Sequence, residues 1–349
     1  MPIQENVALA PLTTLQVGGP ARYFTEASSV DEVREAVQFA TARSLPLFVL
    51  GGGSNLVISD KGWPGLVLRV GILGISHRHG HDGTVYFDAG AGEQWDGFVA
   101  ATVQHHCAGV ECLSGIPGSV GGTPVQNVGA YGQEVAETID SVVALDLQSL
   151  EEREFEKDEC GFSYRTSVFN TSQRGRWVIL RVTYALAHNG EARVAYADLK
   201  KHFATLGRNP TLAETRDAVR AVRASKSMLI TAGDEDSRSA GSFFKNPVLS
   251  QEQFAEVTRR AEARGLQVPS YPALKAQHKI SAAWLVEHSG FAKGYALGHA
   301  GISRKHALAL VNRGGATAAE IVALKDRVQQ GVEESWGVRL EPEPVLLGF

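Results

Sequence analysis

The chain is poor in sulfur and has no long apolar run. Its three cysteines, Cys107, Cys112 and Cys160, cannot build a disulfide framework. Reduced thiols fit a cytoplasmic protein, and that compartment is expected. No stretch approaches the ~20 consecutive apolar residues of a membrane span, so no membrane partner is expected. Residues 1–10 carry Glu5 and lack the basic-then-apolar pattern of a secretory signal. Neither sign of charge dominates: 34 Lys and Arg against 38 Asp and Glu leave a formal net charge of −4. Nothing in that balance marks a nucleic-acid binder, and none is expected. His105, His106 and Cys107 are adjacent, with Cys112 beyond, but neighbouring helical side chains point in different directions and the spacing is not that of a zinc site. No metal is expected. No Gly-Lys-Ser/Thr follows a glycine loop, which excludes a P-loop. No repeat or low-complexity tract is evident.

What remains is the composition of a folded protein, 44% hydrophobic and 21% charged. At a prior of ~150 residues per domain, 349 residues make two or three domains. Apolar spacing and caps predict helices over 29–44, 94–106, 197–206, 212–224, 251–265, 281–289 and 317–336. Strands are expected at 47–50, 56–59, 65–68, 84–88, 141–156, 177–186 and 308–311. The polar, charged run 231–238 reads as a loop or domain junction. The whole describes an α+β protein.

Two glycine tracts stand out. The first, Gly51-Gly52-Gly53-Ser54-Asn55, lies between two strand-like segments, whereas a Rossmann loop runs strand, glycines, helix. Its free N–H groups can grip an anion such as a pyrophosphate; a plain tight turn is the alternative. The second, Gly115-Ile116-Pro117-Gly118-Ser119-Val120-Gly121-Gly122-Thr123-Pro124, continues into Gln126-Asn127-Val128-Gly129-Ala130-Tyr131-Gly132. It describes backbone wrapped closely around something flat or charged. Ser119 lacks the strand–turn–helix flanks of a nucleophile elbow.

The octapeptide Ala240-Gly241-Ser242-Phe243-Phe244-Lys245-Asn246-Pro247 sets a serine between a glycine and two aromatics, with a cation and an amide behind. It fits a reactive hydroxyl shielded from water, and equally a glycine turn leading into a buried aromatic strand. No histidine lies close to Ser242 in sequence to make it a conventional nucleophile. His278, His288, His299 and His306 read as surface or packing residues. Arg165, in Phe162-Ser163-Tyr164-Arg165-Thr166-Ser167, is a salt-bridged surface residue unless it faces the same ligand as the glycine loops.

The ordered set of Leu50 to Asn55, Gly115 to Gly122, Gln126 to Gly132, Tyr164-Arg165, Gly241 to Pro247 and the tail Leu340-Glu341-Pro342-Glu343 resembles the UDP-N-acetylenolpyruvoylglucosamine reductases, or UDP-N-acetylmuramate dehydrogenases. The resemblance runs from about Thr13 to Gly348. Tyr196, the Arg223-Ala224-Ser225-Lys226 segment and the stretch from Tyr271 to Asn312 resemble the family's type I. The charged run 234–238 is longer than the family pattern between Lys226 and the serine.

The resemblance implies an FAD-binding domain of the vanillyl-alcohol-oxidase type over 1–210, with α+β subdomains of about 1–70 and 71–210. A C-terminal α+β substrate domain follows over 211–349. It implies noncovalent FAD, NADPH as reductant, a UDP-sugar substrate, and a step of peptidoglycan precursor synthesis. A monomer is expected. Gly51, Gly52, Gly53, Ser54, Asn55, Gly115, Ile116, Pro117, Gly118, Ser119, Gly121 and Gly122 are the implied FAD contacts. Tyr196, Lys226 and Asn246 are the implied substrate contacts, chiefly to the UDP portion. Ser242, Arg165 and Glu343 are the implied catalytic set. An enolate-like carbon is basic enough to take a proton from a hydroxyl such as Ser242 in a dry site. Arg165 can hold a carboxylate by two hydrogen bonds. Glu343, protonated or hydrogen-bonded to that carboxylate, joins it. The rival readings are a sugar or alcohol oxidase of the same fold, a nucleotide-sugar-binding regulator without flavin, and a serine hydrolase built on Ser242 or Ser119.

Overall fold

In the computed structural model, residues 1–272 and 277–349 are described. The chain forms two compact units. One comprises Met1–Val7, Ala21–Gly53 and Trp63–Leu229; the other comprises Ala8–Pro20, Ser54–Gly62 and Ile230–Phe349.

The first unit holds two main sheets and the short antiparallel ribbon Gly129–Ala130/Gln133–Glu134. Strands Gln4–Ala8, Pro20–Ala27, Trp63–Val70 and Leu47–Leu50 lie in that order, with Trp63–Val70 parallel to both Pro20–Ala27 and Leu47–Leu50. Helix α1 (Val30–Ala42) provides the crossover that a parallel pair requires. Its start was legible: Ser29 accepts from Glu32 N–H, and Val33, Ala36, Val37 and Ala40 form the buried stripe. The second sheet is antiparallel and built around the long strand Trp177–His188, which pairs with Ile139–Asp146, Thr84–Gly90 and Cys107–Ala108. Helix α2 (Trp95–Gln104) buries Trp95, Phe98 and Val99 in the same core as Phe87 and Tyr184. Helices α3 (Ala197–His202) and α4 (Leu212–Ser225) complete this unit.

The segment expected as a strand over 141–156 is a hairpin, Ile139–Asp146 with Glu152–Glu156. The exposed strand Ile75–His79 had no apolar alternation to announce it; all five of its residues are exposed.

The second unit carries helices α5 (Gln251–Glu262), α6 (Ala282–Glu287) and α7 (Ala318–Trp336). They pack with two small antiparallel sheets, Val248–Leu249/His278–Ile280/Ser270–Pro272 and Ala296–Leu297/Ala300–Ile302/Leu310–Asn312. Ile321, Leu324, Val328, Val332 and Trp336 of α7 fill the core with Leu15, Val57, Phe243 and Phe244. The carboxylate of Asp60 accepts from the N–H groups of Ala318 and Ala319 and caps α7, 2.8 and 2.9 Å away. The strand after the first glycine tract, Leu56–Ile58, runs parallel to the C-terminal strand Val345–Leu347. Of the stretch that resembles type I, residues 273–276 lie outside the described residues.

Candidate functional site

The two glycine tracts meet within the first unit. A Cβ built on Gly52 would lie 2.4 Å from Gly118 Cα and 2.8 Å from Ser119 N. Only a bare backbone fits that approach. Gly118 has φ +122°, which disfavours any side chain there. The second tract is fixed to residues 91–95: Val120 N–H donates to Glu93 O, Gly121 N–H to Ala91 O and Trp95 N–H to Gly118 O, at 2.9, 2.9 and 3.1 Å. Further on, the Thr123 hydroxyl shares a 2.7 Å hydrogen bond with the buried Tyr184 hydroxyl. Gly115 and Ser119 are buried, while Ile116, Pro117 and Gly118 form the half-buried tip between them.

A charged group behind this loop was missed at the level of sequence. Asp96, in the first turn of α2, accepts from Gly115 N–H at 2.6 Å. It also holds Arg216 through two hydrogen bonds of 2.6 and 3.0 Å, and Arg220 through a third. Burial pushes the Asp96 carboxyl up, but the Arg216 hydrogen bonds, the Gly115 N–H and the two arginine charges outweigh it and hold it below its ordinary value. Arg223, buried, donates to Gly115 O at 3.1 Å and Met228 O at 2.8 Å. Helix α4 carries few apolar residues, and one of its faces is arginine. The spacing 216, 220, 223 places those guanidiniums on one face, and that stripe was the available signal.

Arg165 sits in a tight turn closed by the mutual backbone hydrogen bonds of Ser163 and Thr166, both 3.0 Å. Its φ is +55°, a left-handed conformation that costs a non-glycine residue on the order of 1 kcal/mol. The tract 126–132 enforces it. Asn127, buried, donates to Ser163 O at 3.0 Å, and Arg165 Nη2 donates to Gly129 O at 2.9 Å. Nearby in sequence, Tyr131 packs edge-on against Tyr196 with ring centroids 5.3 Å apart, and Lys226 pairs with Asp198 at 2.6 Å. Burial pulls the Lys226 ammonium down, but the Asp198 hydrogen bond and charge, with the nearby tyrosines, more than restore it, and its value is raised.

The second unit pairs the segments that carry Ser242 and Glu343. Their segments run antiparallel: Glu343 N–H donates to Phe243 O at 2.8 Å, Lys245 N–H donates to Glu341 O at 3.0 Å, and Phe244 bridges Pro342. Phe243 and Phe244 are buried, with Ser242 half-buried beside them. The two tail glutamates differ. Glu341 is exposed and pairs with Lys245 at 3.4 Å, while Glu343 is half-buried. Asn55 binds the same C-terminal segment, donating from its side chain to Glu343 O at 3.2 Å, while its carbonyl receives Val345 N–H at 3.0 Å. Its neighbour Ser54 is half-buried. Asn246 Oδ1 accepts from Ala282 N–H at 2.9 Å, at the start of α6. The run 234–238 folds as a turn of helix, with Asp236 buried and accepting from Arg304 N–H at 3.0 Å.

Ser242 does have a histidine: His306 Nε2 lies 3.1 Å from its hydroxyl oxygen. His306 is 64 residues away in sequence, so local pattern could not reveal the pair. His278 and His288 do pack as expected, stacked on Phe254 and Trp284. Among the described residues no group of three His, Cys, Asp or Glu side chains could hold a metal ion, and no helix is long and apolar enough to cross a membrane.

Residues 21–149 match the family of FAD binding domains. Residues 234–347 match the C-terminal domain of UDP-N-acetylenolpyruvoylglucosamine reductase. A protein of that name from Thermobifida fusca (strain YX) is 46% identical over 348 residues, covering 98% of this chain and 97% of that protein. Another, from Streptomyces coelicolor, is 45% identical over 355 residues, covering 99% and 91%. The crystal structure of UDP-N-acetylenolpyruvylglucosamine reductase from Thermus caldophilus is similar with a TM-score of 0.66 at 25% identity, over 99% of both chains. With its fold and nearly its whole length shared in this way, the chain belongs to the UDP-N-acetylenolpyruvoylglucosamine reductase family.

Proposed function

We propose that this protein reduces the enolpyruvyl ether of UDP-N-acetylglucosamine enolpyruvate to UDP-N-acetylmuramate, with Ser242 as the proton donor. The observation that carries the assignment of roles is the backbone pairing of the Ser242 and Glu343 segments, which sets a hydroxyl and a half-buried carboxyl on neighbouring stretches of chain. The meeting of Gly52 with Gly118 makes a backbone cradle that a Cβ would fill, and its small residues fit the pyrophosphate of FAD. Gly51, Gly52, Gly53, Ser54 and Asn55 would hold the dinucleotide together with Gly115, Ile116, Pro117, Gly118, Ser119, Gly121 and Gly122. When bound and reduced by NADPH, FAD would supply the hydride for the terminal carbon of the enolpyruvyl group.

This chain's residues handle the charge and the proton that remain. Arg165 holds the substrate carboxylate, where a preorganised donor is worth about 3–4 kcal/mol of transition-state stabilisation. Glu343 hydrogen-bonds the same carboxylate in its protonated form, because two bare carboxylates would repel. Ser242 delivers its proton to the carbon beside that carboxylate. Tyr196 and Lys226 bind the UDP portion. Asn246 contributes there through its NH2, since its oxygen caps α6. The protein acts as a cytoplasmic monomer in peptidoglycan precursor synthesis. Its FAD-binding region spans 1–210 and its substrate region 211–349, although the compact units divide after Leu229 and leave Ala8–Pro20 and Ser54–Gly62 with the C-terminal part.

The test is anaerobic. NADPH is expected to bleach the flavin absorbance of the purified protein, and UDP-N-acetylglucosamine enolpyruvate to restore it with UDP-N-acetylmuramate as product. A colourless protein that binds the sugar nucleotide would favour the regulator. Reoxidation by oxygen coupled to turnover of a plain sugar would favour the oxidase.

A further inference from the structure

Ser242 Oγ and His306 Nε2 are 3.1 Å apart, and the other ring nitrogen decides which of them donates. His306 Nδ1 lies 3.4 Å from the backbone N–H of Leu308. A backbone N–H can only donate, so Nδ1 is the acceptor. In a neutral imidazole the proton then sits on Nε2. Ser242 Oγ therefore receives a hydrogen bond from the ring. This polarity is the reverse of a hydrolytic serine–histidine pair, in which Nδ1–H donates to a carboxylate and Nε2 takes the serine proton. It argues against the serine hydrolase reading.

The arrangement is held from the backbone. Phe243 N–H donates to Leu308 O at 2.8 Å, which ties the serine segment to the histidine segment. The hydroxyl oxygen of Ser303, fully buried, accepts from Lys305 N–H and His306 N–H at 3.1 and 3.3 Å. Ala309 N–H donates to His306 O at 3.2 Å. These bonds fix the ring's height and direction relative to the hydroxyl.

We infer that His306 is a positioning residue that donates through Nε2–H to Ser242 Oγ. In doing so it aims the hydroxyl's own hydrogen away from the ring and stabilises the oxygen as that hydrogen leaves. The inference rests on the proposed role of Ser242 as proton donor. In the step, the Ser242 O–H bond breaks as a C–H bond forms at the carbon beside the substrate carboxylate. The O–H electron pair stays on Oγ, and the pair on the carbanionic carbon becomes the C–H bond. His306 keeps its proton and shortens its hydrogen bond to the oxyanion. Oγ then recovers a proton from water. A donor preorganised on a developing oxyanion is among the strongest electrostatic aids a site can offer, and it makes an otherwise feeble acid usable.

Two measurements test it. The first is nitrogen-15 NMR of histidine-labelled, FAD-loaded protein, with the His306 signals assigned by their loss in His306→Gln. The expected tautomer carries its proton on Nε2 and leaves Nδ1 bare; a proton on Nδ1 at neutral pH overturns the inference. The second is the rate at which substrate reoxidises the pre-reduced enzyme. His306→Gln can present an amide N–H to Oγ and is expected to stay within about tenfold of wild type, while His306→Leu slows by about a hundredfold, as loss of one such donor does. That hundredfold should vanish when Ser242 is already alanine, since the leucine then has no oxyanion to fail. Flavin content and melting temperature check that each variant is folded. If His306→Leu matches wild type while Ser242→Ala is slow, the inference falls and the serine's role stands. Equal losses in the Gln and Leu variants also overturn it. If Ser242→Ala itself reacts at the wild-type rate, the proton-donor reading falls and takes this inference with it.

Discussion

Replacing Gly52 with alanine puts a methyl group between the two glycine tracts. The new Cβ would lie 2.4 Å from Gly118 Cα, 2.6 Å from Gly118 C and 2.8 Å from Ser119 N. Ordinary contact begins at 3.4 Å, and all three neighbours are backbone atoms with no rotamer to change. The turns must therefore separate by about 1 Å, and overpacking of that kind costs about 1–3 kcal/mol. The cost divides between two observables. Whatever the protein absorbs by distorting appears as a lower melting temperature of the FAD-free form. Whatever it absorbs by opening the turns appears as weaker FAD binding, roughly 5- to 150-fold if all of it falls there. Titration of FAD-free protein with FAD, followed by flavin fluorescence, reads the second; thermal unfolding reads the first. Gly97→Ala is the control. Gly97 is exposed inside α2, and its added Cβ meets only Gln94 Cβ at 3.9 Å. That variant should gain about 0.5–1 kcal/mol in stability and leave FAD affinity alone. If Gly52→Ala binds FAD as wild type does and melts at the same temperature, the argument that this close approach builds the cofactor cradle is wrong.

Other outcomes follow from the charges and thiols. Asp96→Asn is expected to cost about 1–3 kcal/mol at neutral pH by weakening the bonds to Gly115, Arg216 and Arg220. Because the Asp96 pKa is held below 3.8 in the folded protein, its contribution is present above that value and lost as pH falls through the folded pKa. The difference between variant and wild type in acid unfolding should therefore close below pH 3.8. Burial pushes the thiols of Cys112 and Cys160 up to about 12, so both should resist a thiol reagent at pH 8 and react fully once the protein is denatured. Reaction of either in the native protein would contradict their burial. Tyr196→Phe should raise KM for the UDP-sugar more than it lowers kcat; the reverse pattern would place Tyr196 in the chemistry.

Local signals carried much of the secondary structure. The Ser29 cap and the 3–4 spacing of Val33, Ala36, Val37 and Ala40 identify α1 because a helix records its buried face in its period. The glycine tracts were legible because close backbone approach leaves glycine few substitutes. The pairing of distant segments was not. Leu56–Ile58 reads as a strand, but nothing local says that it pairs with Val345–Leu347. The same holds for the site. Ser242 and Glu343 were named through the order of motifs, whereas His306 and Asp96 belong to no motif and acquire partners only when the chain folds. Arg223 is the hardest case, since a buried arginine on a helix looks in sequence like any solvated one until the carbonyls of Gly115 and Met228 are placed against it.

The central claim is that Ser242 supplies the proton, and it is tested most directly by stopped-flow kinetics of Ser242→Ala in both half-reactions. The account predicts that NADPH reduces the variant's flavin at nearly the wild-type rate, while reoxidation by UDP-N-acetylglucosamine enolpyruvate slows by about 10²–10⁴-fold. Equal losses in the two half-reactions, or wild-type reoxidation, would contradict it.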